Sequence, residues 1–143
     1  MMKLSSLISE KYKRYSTAHS DLIAIKHRAS WAIDTEPWRG PHAGAELHLM
    51  LQNKKPITSL SVPAEIEKFK PYIKSRRFIA KKTDIGMLIA QPNEAWRIKK
   101  IEDLFNISSE EVNKSPRSRF LYHAKLGLLF GYSKEDILKF IKA

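Results

Sequence analysis

The chain has 143 residues, 26 Lys and Arg against 15 Asp and Glu, a formal charge of +11 and no cysteine. That length suits one domain with a core of its own, and the missing thiols exclude disulfides, iron–sulfur clusters, thiolate zinc sites and thiol catalysis. The positive excess points to an intracellular protein that meets nucleic acid or another polyanion, an acidic protein surface, or a phosphorylated small molecule.

No apolar run approaches the roughly 18 residues of a membrane span, and the N-terminal stretch lacks the continuous apolar core of a signal peptide, so a cytoplasmic protein without a transmembrane segment is expected. Leu4, Leu7, Ile8, Tyr12 and Tyr15 recur at helical spacing and predict a first helix. Ser20-Asp21 caps a second, with Leu22, Ile23, Ile25, Ala29, Ala32 and Ile33 on its apolar face, and Glu36-Pro37 ends it. A third runs from Pro41 to about Asn53 with Ala43, Leu47, Met50 and Leu51 as its stripe.

Pro56 to Val62 alternates as a short strand does, and Pro63 opens a helix carrying Ile66, Phe69 and Ile73. Phe78 to Lys82 and Met87 to Gln91 flank a turn ending in Gly86, which predicts a hairpin. Asn93 is positioned to cap a helix with Ile98, Ile101, Leu104 and Phe105, although Trp96 to Lys99 also alternates as a strand would. Ser115-Pro116 opens a strongly apolar helix that Gly131 ends, and Ser133 caps a last one with Ile137, Leu138, Phe140 and Ile141 inward. The expected fold is a single α+β domain over residues 1–143, with several helices packed on a small, mainly antiparallel sheet of about three strands.

The local peak of positive charge comprises Lys68, Lys70, Lys74, Arg76, Arg77, Lys81 and Lys82, interleaved with Phe69, Tyr72 and Phe78 and with no acidic residue between. Lys and Arg displace the counterions condensed on phosphates, and aromatic faces stack unpaired bases, so this segment, with Arg97, Lys99 and Lys100, is the candidate surface for nucleic acid or another phosphate-rich partner. The spacing assigns Phe69 and Phe78 to the core and Tyr72 to the exposed ring. The same charge would also steer the chain onto an acidic protein surface, as an inhibitor or docking protein. Two helices meeting at Gly131-Tyr132-Ser133 outline a helix-turn-helix, but the second begins Lys134-Glu135-Asp136. Its carboxylates would repel phosphate, which favours a plain helical hairpin.

Trp38 to Leu51 supports an enzymatic alternative. His42 and Glu46 stand one helical turn apart, where the carboxylate can orient the imidazole as an acid–base pair, and Arg39 lies at the helix entrance as an anion anchor. A phosphorylated or carboxylated metabolite would then be the substrate. His48 is turned away from that pair, so no metal site is expected there, and no cofactor is implied. Walker, dinucleotide, nucleophile-elbow and His-Glu-x-x-His motifs are all absent from the sequence.

Overall fold

Helical and extended patterns alternate as expected in the computed structural model, which describes residue 12 and residues 46–142, residue 85 excepted. The first two expected helices, apart from Tyr12, lie outside the described residues. So does the first part of the third. What is described of it is α1 (Glu46–Leu51), followed by β1 (Ile57–Leu60), α2 (Pro63–Lys74), β2 (Ile79–Thr83), β3 (Gly86–Ala90), a 3-10 turn (Pro92–Glu94), α3 (Trp96–Phe105), α4 (Ser109–Val112), α5 (Pro116–Leu129) and α6 (Lys134–Lys142). These form an α+β fold.

The three strands make one antiparallel sheet in the order β1-β3-β2, with Ile57 opposite Ala90 and Ile79 opposite the same residue from the other side. Alternation along the strands sends successive side chains to opposite faces. Ile57, Leu88 and Ala90 pack with Ile98 and Ile101 of α3 and Leu129 of α5, whereas Leu60 and Ile89 pack with Met50, Phe69 and Phe78 beside α2. The sheet is therefore a central layer with α3 and α5 on one side and α2 on the other. Gly86 opens β3 because a Cβ there would lie 2.2 Å from the Leu60 carbonyl oxygen.

Local chemistry sets most of the boundaries. Asn53, at φ 58, ends α1 in a left-handed turn in which Lys54 donates to Leu49 O and Asn53 to Met50 O. Pro63 begins α2 without needing a donor. Two expectations require correction. Asn93 does not cap α3: Pro92 starts a 3-10 turn that contains it, and the helix begins at Trp96 with no side-chain cap. The sequence pattern also missed α4, which Ser108 caps by accepting from the Glu111 N–H.

The end of α5 is the most heavily hydrogen-bonded junction. Gly131, at φ 79, allows Tyr132 N–H to reach Gly127 O and Gly131 N–H to reach Leu128 O. Helix ends leave carbonyls unsatisfied, and here buried cations take them. Arg97, fully buried, donates through Nη1 to Leu128 O at 3.0 Å and Leu129 O at 2.8 Å, while its Nε and Nη2 meet the Glu94 carboxylate. Lys55, 1% exposed, donates to Phe130 O at 3.1 Å and lies over the Tyr132 ring. Immediately after this turn Ser133 caps α6 by accepting from Asp136 N–H, and Gly127 lets the two helices approach so closely that a Cβ would stand 2.6 Å from Ile137.

Arg97→Ala should lower the free energy of unfolding by about 3–5 kcal/mol in urea titrations, because it removes a fully buried side chain and leaves the Glu94 carboxylate without its cation and Leu129 O without that donor. Lys55 yields a pH dependence. Burial, opposed by Glu46 and reinforced by Arg97, lowers its pKa from 10.5 to about 7. Between those values the unfolded chain holds the extra proton, so stability rises with pH, by about 1.4 kcal/mol per unit for this one proton. Urea titrations from pH 7 to 9 should show that rise in the parent and its loss in Lys55→Met. Staying below pH 10 keeps out the opposite effect of Tyr132, whose raised phenol pKa favours the unfolded chain only once unfolded tyrosine ionises.

Candidate functional sites

The basic segment does not form one surface. Lys81 and Lys82 are neighbours on β2 and so point to opposite faces, Lys81 toward α3, where it pairs with Glu102 at 2.7 Å. Lys68 pairs with Glu65, Lys70 with Glu67 and Lys99 with Asp103, each within one turn of helix. The Arg77 guanidinium donates to Gln91 Oε1 at 2.8 Å and lies over Phe78. Arg97 is wholly interior and belongs to the α5 junction, so it offers no surface charge. Tyr72, expected as the exposed ring, is half-buried against Phe78, with centroids 5.9 Å apart. Phe69 and Phe78 are in the core, as their spacing predicts.

Lys74, Arg76, Lys82 and Lys100 remain exposed with no ion-pair partner among the described residues. Lys74 and Lys82 belong to the α2 side of the sheet. There a groove of about 570 Å³ has Ile66, Pro71, Ile73, Ala80 and Met87 as its floor and Glu67, Lys70 and Lys74 along one wall. Lys82 is the register partner of Met87 and shares the face of Ala80, so it stands beside the groove on the hairpin side. Lys100 lies on the other side of the sheet, where it lines a separate hollow with Lys125 between α3 and α5.

Arg39 and His42 lie outside the described residues, so the enzymatic pair is represented by Glu46 alone. That carboxylate lines a second site, missed in the sequence, at the outer edge of β1. The cleft there holds about 310 Å³ and is walled by Phe105, Leu126, Phe130, Ile137 and Phe140, with Thr58, Ser59, His123 and Tyr132 as its other polar groups. No motif announces it. Its residues come from five separate elements, and only the turn at Gly131 brings Tyr132 toward β1. Burial, together with the Glu46 and Asp136 carboxylates, holds the Tyr132 phenol protonated.

His123, within the apolar helix α5, is half-buried on this cleft. Its ring lies edge-on to Tyr122 at 5.2 Å and Phe140 at 5.6 Å. Burial lowers its pKa, and Arg119 lowers it further. No group of residues arranged to hold a metal ion occurs among the described residues. No helix among them is long and apolar enough to cross a membrane. No known family model matches the chain, and no curated protein or solved structure matches it significantly.

A proton NMR titration should find the His123 midpoint below that of an unstructured histidine. Removing the charge in Arg119→Gln should move it part of the way back, leaving the part due to burial.

Proposed function

We propose that the protein is a binding module for an acidic, partly apolar protein segment, which it receives in the groove between α2 and the β2–β3 hairpin. The observation that carries this reading is the chemistry of the groove. Its floor is aliphatic, the exposed Lys74 stands on its wall, and Lys82, the register partner of the floor residue Met87, lies beside it. A single-stranded nucleic acid needs phosphate contacts and exposed aromatic faces for its bases. The aromatic residues of this segment are instead spent on the core, as Phe69 and Phe78, or packed against it, as Tyr72. An amphipathic segment with carboxylates flanking aliphatic side chains matches both these cations and the floor.

Arg76 adds support. It ends α2 at φ 63, a left-handed conformation that costs a non-glycine residue roughly 1–2 kcal/mol, and its exposed side chain makes no ion pair that would offset this. It carries charge next to the groove at some expense to the fold. Pro71 contributes in another way: lacking an N–H, it leaves the Glu67 carbonyl without its usual intrahelical donor on the groove wall.

Fluorescence anisotropy with two labelled probes tests this, one a helical peptide of Glu and Leu with one acidic and one apolar face, the other a dodecamer of thymidylate. The peptide should bind, should weaken as salt is raised, and should lose about tenfold in affinity, or about 1.4 kcal/mol, in the Lys74→Ala/Lys82→Ala double variant. Binding of the oligonucleotide in preference to the peptide, weakened by the same pair of substitutions, would overturn this reading in favour of a nucleic-acid surface. Binding of neither probe at low salt would overturn both.

A further inference from the structure

The cleft at the edge of β1 is separate from the groove and has a different chemistry. β1 pairs only with β3 among the described residues, so its other edge is open toward α5 and α6. In an antiparallel ladder, alternate residues turn their main-chain N–H and C=O toward the partner strand. Gln91 N–H donates to Pro56 O, which fixes the phase: Thr58 and Leu60 face β3, and Ser59 presents its N–H and C=O side by side to the open edge. Ser59 lines the cleft, and among the described residues none donates to or accepts from it there. Thr58, only 2% exposed, also lines the cleft.

Around this donor–acceptor pair stand the rings of Phe105, Phe130 and Phe140. Planar rings pack well against such walls, and a volume of about 310 Å³ lies at the small end of the roughly 300–1,000 Å³ usual for ligand sites. A charged ligand would lose its hydration here, and an anion would also meet the Glu46 carboxylate that lines the cleft. We propose that this cleft binds a small, uncharged, planar heterocycle bearing an amide-type edge, of the nucleobase class, with that edge paired to the Ser59 main chain and the ring held between the phenylalanines.

The register supplies a direct test. Ser59→Pro deletes the N–H that would meet the ligand while leaving the ladder to β3 intact, because that N–H is not donated to β3. The probes are uracil and 2-pyridone, which share the amide edge, toluene, which has the ring alone, and uridine monophosphate, which adds charge. In amide-detected NMR titrations uracil and 2-pyridone should shift the Ser59 resonance and bind at least tenfold tighter than toluene or the nucleotide, and Ser59→Pro should lose that advantage. Absence of shifts at the solubility limit of uracil would overturn the proposal, as would equal binding of toluene or undiminished binding by Ser59→Pro. Should that variant fail to fold, Leu126→Trp decides. It fills the cleft from a half-exposed position, so the uracil shifts must vanish, and their persistence would overturn the site.

Discussion

The capture of the C-terminal end of α5 by two buried cations is the constraint on which the rest of the structure depends. A helix that ends in the interior brings with it carbonyls that water cannot reach. Gly131 lets the chain turn back on itself and satisfies Gly127 O and Leu128 O. Arg97 and Lys55 then take Leu129 O, Phe130 O and the second lone pair of Leu128 O. The two cations arrive from the same end of the sheet, Lys55 just before β1 and Arg97 just after its antiparallel partner β3. One helix terminus thereby ties together the start of β1, the exit of β3 and the helical hairpin.

Burying positive charge is costly, and the site shows how the cost is met. Arg97 keeps the Glu94 carboxylate at 3.1 Å and has the Trp96 ring beneath it at 4.6 Å, so its charge is paired and its flat face is covered. Lys55 has a weaker arrangement. Its partners include a carbonyl and two aromatic rings, and burial lowers its pKa against the opposing field of Glu46. An arginine cannot respond by losing its proton, whereas a lysine can. The permanently charged residue is held against the Glu94 carboxylate, and the more strongly desolvated place falls to the residue that can be neutralised.

The expected elements after residue 46 were legible because their signals are local. Proline at the first turn, serine caps at Ser115 and Ser133, glycine after α5 and strand alternation each act within a few residues. What was not legible depends on distance in space. Arg97 reads as one more surface cation in a chain with 26, and nothing in the sequence around it or Lys55 shows that a helix end would be delivered to them. Likewise the run from Lys68 to Lys82 reads as one patch, until the parity of β2 divides it between the two faces and glutamates from α2 and α3 pair with Lys68, Lys70 and Lys81. The edge cleft could not be foreseen at all, since its polar groups are ordinary residues joined only by the fold.

Sheet order explains why two separate sites can coexist in so small a fold. With β3 in the middle, both β1 and β2 are edges, and an open edge has to be guarded against pairing with another chain. β2 is guarded by Lys81 and Lys82, which is also why positive charge accumulates beside the groove. β1 is guarded differently, by α5 and α6 folded over it, and the incomplete fit of those helices against the strand leaves the cleft. The two edges are held apart by the width of the sheet, and α2 and α5 press on opposite faces of it. A ligand at one edge therefore meets none of the residues that line the other, and any coupling between them would have to pass through β3 itself.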